Sequence, residues 1–402
     1  MSRSPLFKLL LSVLLACMFC AVPAVAALTI PSDGSDGVFN PTASCVVDLS
    51  TAATGVWSTP GSGHGVYDVA KWAVTFKYKS VNIPAGVTVT FKNHASRAPV
   101  VWLVQGDVTI AGTVSLNGGD GINGPAGLTA PGPGGFPGGT ADSNDPYLGT
   151  TPRSAGLGYP TAGGANNSQI PLIGGSGGIG GSVYENYSTK YWSGGGGGGA
   201  ILIASTGKIT LSGTLSANGG NGYLTGDYVG ANGGSIRLVG DTIDGSGTVS
   251  AYGGGRGGSN GRIRFETNTI TFTGIAVGVT PVKPQATPAI WPAATAPGIR
   301  ILSIGGQTVP ADPTDTFTYY TADVQTAQDP TQSAAVPVVI QATNVPLTWK
   351  VVVHAVSRID GKIYEATATM QAGGTLASST WSATLTLPVT NVVSVIARAS
   401  AS

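Results

Sequence analysis

The stretch Gly-Thr-Val-Ser-Leu-Asn-Gly-Gly at residues 112–119 recurs as Gly-Thr-Leu-Ser-Ala-Asn-Gly-Gly at 213–220 and as Gly-Thr-Val-Ser-Ala-Tyr-Gly-Gly at 247–254. An internal repeat sets the architecture of a chain before local propensity does. The third position is aliphatic in every copy, and the threonine before it has the opposite strand parity. We therefore predict that the aliphatic side chain faces a core, that the threonine faces outward, and that Gly-Gly forms a corner with positive φ.

Each octapeptide follows two β-type runs, so one repeat unit consists of a first strand, a second strand and the octapeptide. First strands are predicted at 100–104, 200–204, 235–239 and 262–266. The fourth unit lacks the Gly-Gly ending, as terminal repeats often do. A half-buried strand is also predicted near residues 83–91, ahead of the first unit. Because one unit cannot bury its apolar face alone, we predict that the units stack as parallel coils.

A glycine-rich insertion, residues 118–199, separates the first two octapeptides and ends in six consecutive glycines. It lacks a strict Gly-X-Y period, which excludes collagen. Two alternatives stay open. The insertion is either a flexible loop or a packed bundle of extended glycine helices lying on the coil, and its tyrosine and isoleucine residues favour some order.

The N-terminus is typical of an export signal, with a basic start, an apolar run and an Ala-x-Ala site that predicts cleavage after Ala26. We therefore expect a secreted or outer-surface protein whose mature chain has no transmembrane span. Cys17 also fits a lipoprotein box, which is the alternative mode of anchoring. Cys45 is then the remaining cysteine, predicted to be a buried thiol, with an intermolecular bridge as the alternative.

Charged residues make up 10% of the chain and the net charge is +1. Such a chain has no basic field for nucleic acid, so no nucleic-acid partner is expected. A surface of Ser, Thr, Asn, Gly and backbone suits contacts with sugars or with copies of the same chain. Weak charge repulsion also makes self-association plausible.

The second half of the chain is predicted to hold a separate unit. Residues 275–298 are rich in proline and predict a semi-rigid linker after a coil domain at 27–274. Residues 299–402 contain several alternating runs separated by turn signals. Their spacing predicts an immunoglobulin-like β-sandwich without the Cys-Trp-Cys pattern of antibody domains. The overall expectation is an all-β chain.

The Ile83-Pro84-Ala85-Gly86-Val87-Thr88-Val89 segment and the Gly-Thr-Val-Ser repeats resemble those of secreted right-handed parallel β-helix proteins, the pectin-lyase-like group and the haemagglutinin-type adhesins. The chain is most similar to Gly-rich exported bacterial proteins that join such a coil to an Ig-like tail. This resemblance covers about half of the mature chain. It implies an extracellular role that faces carbohydrate or a cell surface.

Arginines provide one candidate ligand site. Arg237 and Arg264 occupy equivalent positions on successive units, and Arg262 has the same parity as Arg264. We predict an outward column that binds carboxylated sugars, since a guanidinium matches a carboxylate. The alternative is a solvated face on which Glu266 or Asp241 pairs with the arginines.

Two further sites are predicted from short patterns. Tyr223 and Tyr252 lie near the Gly-Gly corners and are candidates for stacking on sugar rings, with simple turn packing as the alternative. Asp33 and Asp36 lie in an Asp-Gly-Ser-Asp-Gly segment that resembles a Ca²⁺ loop, against the alternative of a polar turn. No other cofactor is expected.

Three functions are consistent with these patterns. The first is a non-enzymatic adhesion or scaffolding protein that contacts glycans or copies of itself. The second is a polysaccharide-active, lyase-like enzyme on the coil, although no catalytic residues can be assigned. The third is a subunit of a self-assembling extracellular filament.

Overall fold

A computed structural model describes residues 28–122, 129–139, 169–185, 188–223, 230–255, 257–277, 289–314, 322–326, 333–357, 362–387 and 393–401. The predicted export signal with Cys17, part of the glycine-rich insertion and part of the proline-rich segment lie outside these residues. Within the described residues the chain is all-β, as predicted, and a single 3-10 turn at Leu49–Thr51 is the only helical element.

The first part of the chain holds nineteen strands, most of them short. They are β1 (Val38–Phe39), β2 (Cys45–Asp48), β3 (Ala53–Thr54), β4 (Val66–Asp68), β5 (Ala73–Tyr78), β6 (Ser80–Ile83), β7 (Thr88–Lys92), β8 (Val100–Val104), β9 (Val108–Ile110), β10 (Thr113–Ser115), β11 (Gly181–Glu185), β12 (Ser188–Trp192), β13 (Ala200–Ser205), β14 (Lys208–Leu211), β15 (Thr214–Ser216), β16 (Ser235–Gly245), β17 (Thr248–Ser250), β18 (Arg262–Phe272) and β19 (Ile275–Val277).

All of these strands except β3, β4, β11 and β12 form three parallel stacks, and β11 and β12 pair antiparallel with each other. The first stack contains β5, β8, β13 and the first halves of β16 and β18. The second contains β1, β6, β9, β14 and the second halves of β16 and β18. The third contains β2, β7, β10, β15, β17 and β19. One strand from each stack makes up one rung.

The octapeptides are direct neighbours in the third stack. Thr113 pairs with Thr214, which pairs with Thr248, and the aliphatic residue that follows each threonine is fully buried. Their side chains join one apolar cluster enclosed by the three stacks. The predicted parallel, in-register pairing of the repeats is therefore confirmed, as is the inward orientation of the aliphatic position.

The first stack is covered on its outer face as well. Leu103, Leu202 and Val239 point away from the interior cluster, yet they are buried in a second cluster against Ile290 and Trp291. A sheet that is buried on both faces reads as a continuous apolar run rather than an alternating one. This explains why β8 and β13 are apolar at almost every position.

The predicted positive φ of the Gly-Gly corners is wrong. None of the glycines at 118–119, 219–220 or 253–254 lies in the left-handed region. Glycine is required there because a Cβ would overlap a neighbouring backbone: at Gly220 it would meet the carbonyl of Gly119, and at Gly254 the carbonyl of Gly220. Close approach of chains, rather than turn conformation, sets the residue type.

The described part of the glycine-rich insertion packs into a bundle. The six-glycine run Gly194–Gly199 is buried throughout, and none of its residues has a left-handed φ. It is surrounded by extended segments at 116–121, 130–139, 174–178, 217–220 and 231–234. Of the two alternatives raised by the sequence, the described residues have the second, a packed bundle.

Hydrogen bonds in the bundle recur every three residues. The amides of Gly194 and Gly197 donate to the carbonyls of Gly139 and Phe136. The same spacing relates four other pairs of neighbouring segments. The amides of Phe136 and Gly139 donate to the carbonyls of Gly175 and Gly178, and those of Gly196 and Gly199 donate to Gly119 and Leu116. Likewise, the amides of Gly118 and Gly121 donate to Asn218 and Asn221, and those of Ala231 and Gly234 donate to Gly220 and Ala217. Three residues per turn without internal hydrogen bonds is the geometry of a polyproline-II helix.

The second part of the chain forms two antiparallel sheets. Its strands are β20 (Gly298–Ile304), β21 (Gln307–Thr308), β22 (Ala334–Thr343), β23 (Lys350–Ser357), β24 (Ile363–Thr367), β25 (Thr369–Met370), β26 (Ser379–Leu387) and β27 (Val393–Ser400). One sheet has the order β21-β20-β22-β26-β25 and the other β24-β23-β27. Alternating residues of both sheets share one apolar cluster, as their sequence pattern predicts.

Residues 289–312 connect this part to the coil that the three parallel stacks form, and they do so by side-chain contacts. Trp291 packs on Trp57 with ring centroids 5.5 Å apart. The hydroxyl of Tyr67 donates to Asp312 Oδ1 at 2.6 Å. The described end of the proline-rich segment is therefore fixed on the outer face of the first stack.

Candidate functional site

Two rows of outward-facing residues cross the glycine bundle where it leaves the third stack. Three bundle segments lie side by side here, and each exposes every third residue, as a threefold helix must. The first row is Asn117, Asn218 and Tyr252, and the second row is Asp120, Asn221 and Gly255. We call these residues, with Tyr223 beyond the second row, the tyrosine–amide platform.

Side-chain oxygens tie each row together. Asn117 Oδ1 accepts from the backbone amide of Asn218 at 2.7 Å, and Asn218 Oδ1 accepts from that of Tyr252 at 2.7 Å. In the second row, Asp120 Oδ1 accepts from the backbone amide of Asn221, and Asn221 Oδ1 accepts from that of Gly255. Amides that have no strand partner are thereby satisfied, and the positions of the side chains become fixed.

Both predicted tyrosines lie on the platform and are exposed. The exposed fraction is 52% for Tyr252 and 43% for Tyr223, and Ile122 nearby is 48% exposed. Gly255 places no side chain beside Tyr252, so one face of the second row is open next to an aromatic ring. With rows about 9 Å apart, from three residues at ~3.1 Å each, the platform has the size of one or two sugar rings.

The amide rows were not predicted as a site from the sequence, although a signal was present. Asn117, Asn218 and Tyr252 share the sixth position of the octapeptide, and Asp120 and Asn221 follow three residues later. This period of three becomes meaningful once the segments are recognised as threefold helices rather than turns.

The predicted arginine column does not face solvent. Arg237 pairs in register with Arg264, as expected, but its side chain is 2% exposed. Glu266 Oε1 accepts from Arg237 Nε at 2.8 Å and from Arg264 Nε at 2.6 Å. Arg237 Nη2 also donates to the carbonyl of Ala289 at 2.7 Å.

Arg237 and Arg264 therefore pair with Glu266, which was the alternative that the sequence left open. The sequence did not reveal the cover over these arginines, because it comes from Ala289 and the residues that follow, far along the chain. Arg262 lies at the start of β18 and is half-buried. The prediction of an exposed, three-arginine ligand column is wrong for Arg237, whose guanidinium is enclosed.

The predicted calcium loop is held by a lysine and by backbone amides. Asp36 Oδ1 and Oδ2 accept from the amides of Gly63 and Lys77 at 2.8 and 2.6 Å. Asp33 Oδ2 lies 3.2 Å from the buried Lys77 Nζ. Burial raises the pKa of Asp33, but hydrogen bonds from Ser35 and Lys77 outweigh it, so the pKa is lower than usual. The loop is thus a polar turn in the described structure, and a Ca²⁺ role for Asp33 and Asp36 stays a prediction.

A second polar cluster joins the coil to the segment that carries Asp312. The rings of Tyr67 and His94 lie with centroids 4.1 Å apart and planes tilted by 33°, and His94 Nδ1 lies 2.8 Å from Ser96 Oγ. Burial, with hydrogen bonding to Asp312, raises the pKa of Tyr67 well above its usual value. Ser96 is 2% exposed, so its hydroxyl is not accessible to a substrate in this structure.

In the part of the chain that the structure describes, no three His, Cys, Asp or Glu side chains converge as a metal site would require. The same residues include no helix with the length and hydropathy to cross a membrane.

Comparison with known proteins gives no match: no family model fits the sequence, and no curated protein or solved structure is significantly similar to the chain.

Proposed function

We propose that this chain is an exported, non-enzymatic surface or matrix protein that acts in adhesion or scaffolding. In this proposal the three stacks are the faces of a right-handed parallel β-helix, and the second part is an Ig-like sandwich that serves as a spacer or docking module. The glycine bundle presents the contact surface. The export signal in the sequence supports secretion.

The tyrosine–amide platform is the observation that carries the proposal. Carbohydrate sites pair aromatic rings, which cover the apolar faces of sugars, with fixed polar groups that bond to hydroxyls. Tyr252 and Tyr223 supply exposed rings, and Asn218 and Asn221 are held by hydrogen bonds of 2.7 and 2.8 Å to the next segment. Because its backbone is packed, the platform loses little conformational entropy on binding.

Charge points to an uncharged glycan. Asp120 is the one carboxylate in the two rows, which hold no basic side chain, and it is exposed. Arg237 and Arg264 share a carboxylate within the protein. A carboxylated sugar would therefore meet an acidic group on the platform and no accessible arginine pair, whereas a neutral sugar meets amides and rings.

A binding experiment tests the proposal. The secreted protein is titrated against soluble neutral polysaccharides and against acidic ones such as polygalacturonate. We expect binding to a neutral glycan that Tyr252→Ala weakens by roughly tenfold, near the upper range for loss of an aromatic contact. Tyr252→Phe should retain the binding, because it keeps the ring.

Tyr364→Ala, in the second part of the chain, is the matched control and should bind as the wild type does. Binding that is confined to acidic glycans, or binding that Tyr252→Ala and Tyr223→Ala leave unchanged, would remove the platform from the function. Release of unsaturated products from polygalacturonate would instead favour the lyase alternative.

A further inference from the structure

The two ends of the parallel coil are built differently. At the N-terminal end the first stack continues beyond β5 into β4, which is antiparallel to it, and then into β3. Leu49 of the 3-10 turn is fully buried against the interior cluster at this end. An antiparallel strand and a buried turn residue are the features of a cap.

At the C-terminal end Ile263 and Phe265, in the first half of β18, are buried, but the second half of β18 and β19 have no comparable cover among the described residues. Ile270 and Phe272 of β18 and Ala276 of β19 face the interior cluster but are half-buried. The equivalents of Ile270 and Ala276 one rung earlier, Ile243 and Val249, are fully buried. In the described part of the chain, no further strand pairs with the outer edge of β18 or of β19.

The chain itself leaves this end sideways. Ala289 already lies beside Arg237, and Ile290 and Trp291 pack on the outer face of the first stack. The eleven residues between Val277, the end of β19, and Ala289 include Pro281, Pro284 and Pro288. Proline has no amide donor, so a sequence with this proline content is poorly suited to extend a ladder.

The open edge can pair with itself. Residues 267–277 contain no charged side chain. Two copies related by a twofold axis would therefore bring no like charges of this segment together, and edge-to-edge pairing would join the amides and carbonyls along it. A twofold interface is also the commonest arrangement of homo-oligomers.

We propose that the C-terminal end of the coil is a dimer interface, in which residues 267–272 of β18 in one copy pair antiparallel with the same residues of a second copy. The contact covers Ile270, Phe272 and Ala276 of both copies and closes the assembly at two. It specifies the contact with copies of itself that is part of the proposed function. The test of the dimer involves no glycan. The dimer interface can therefore be disproved while glycan binding is retained, and glycan binding can be disproved while the dimer is retained.

The experiment is sedimentation of the secreted protein over a range of concentrations, together with hydrogen exchange. We expect a species of twice the mass of the chain. Thr271→Lys and Ile275→Lys, which put cations of both copies near the axis, should each return the protein to a single-chain mass. Val46→Lys is the matched control. Val46 is 62% exposed and Ile275 is 64% exposed, and both side chains lie on the outer face of the third stack, at its opposite ends.

Amides of residues 267–272 should exchange more slowly in the dimer than in the Thr271→Lys variant. A wild-type protein of single-chain mass at its highest soluble concentration would overturn the proposal, as would protection of these amides in a single chain. Loss of the dimer in Val46→Lys alone would place the interface at the capped end. Species that lengthen with concentration would replace the closed dimer by a filament.

Discussion

At the scale of single residues, the most unusual feature is one buried carboxylate shared by two arginines. Glu266 is 3% exposed and neutralises Arg237, at 2%, and Arg264, at 14%. The strand pattern correctly placed both arginines outside the interior core. It could not show that another layer lies over them, because alternation reports which face a side chain occupies and not what covers that face.

Removing this carboxylate should strongly destabilise the coil. Glu266→Gln removes the carboxylate that pairs with Arg264 and with the enclosed Arg237, and breaking a buried ion pair from one side costs about 3–5 kcal/mol. Urea unfolding monitored by tryptophan fluorescence measures the change. Asp48→Asn, which breaks the exposed pair of Asp48 with Lys92, is the control and should change the midpoint far less. Equal effects of the two variants would contradict the role assigned to Glu266.

His94 should make stability depend on pH. Burial lowers the pKa of His94 below the usual histidine value of about 6.5, although the charge of Asp312 partly opposes the shift. A lowered histidine pKa means that the unfolded chain binds the proton more readily, so the contribution of His94 is complete above about pH 6.5 and decreases as the pH falls toward the folded-state pKa. We expect the urea midpoint to fall over that window in the wild type.

The substitution that isolates this effect is His94→Asn, in which the decrease below pH 6.5 should be smaller. His64→Asn, a histidine in an exposed turn, is the comparison and should keep the wild-type profile. A steeper decrease in His94→Asn than in the wild type would show that the sign is wrong.

At the scale of elements, the strand pairing of the octapeptides could be predicted, but the conformation of their Gly-Gly ends could not, and the glycine segments could be predicted only in part. The repeat fixes the register of β10, β15 and β17, because an in-register parallel stack is the arrangement in which identical residues can share one interior. The glycine segments carry no side chains to show a face. A buried polyproline-II helix and a flexible linker have the same composition, and what separates them is neighbours supplied from elsewhere in the chain.

The bundle should not tolerate a methyl group at its centre. At Gly197 a Cβ would overlap the carbonyl of Gly175, so Gly197→Ala must separate two backbones. We expect a loss of stability at the upper end of the roughly 1–3 kcal/mol typical of overpacking. Thermal unfolding measures it, and hydrogen exchange at 194–199 should show faster exchange of the amides.

The control is Gly55→Ala, because the nearest atoms to a Cβ at Gly55 lie 3.5 and 3.7 Å away, on Val66 and Thr59. Its stability should stay close to that of the wild type or rise slightly. If Gly197→Ala were as well tolerated as Gly55→Ala, the run would not be packed as described.

At the scale of the whole molecule, the chain is built in layers that are distant in sequence. The outer face of the first stack is covered by Leu28, Ile30 and Trp57 from one side and by Ile290 and Trp291 from the other. A continuous apolar run such as 100–104 is the signal that both faces of a strand are buried. What the sequence could not supply is the identity of the covering residues, since a proline-rich stretch at 275–298 reads as a linker whether or not it docks.

This cover should determine how firmly the second part of the chain is held to the coil. Trp291 packs on Trp57, and Lys71 Nζ lies 5.9 Å from the centroid of the Trp291 ring. Trp291→Ala removes both contacts while leaving each apolar core intact. If the loss exceeds about 1.4 kcal/mol, the cover opens at least roughly tenfold more often, and limited proteolysis near residues 278–298 should speed up by the same factor. Trp381→Phe, a change inside the second core, is the control and should leave that cleavage rate unaltered. Cleavage at the wild-type rate in Trp291→Ala would mean that the segment is held by its backbone contact with Arg237 rather than by the tryptophan pair.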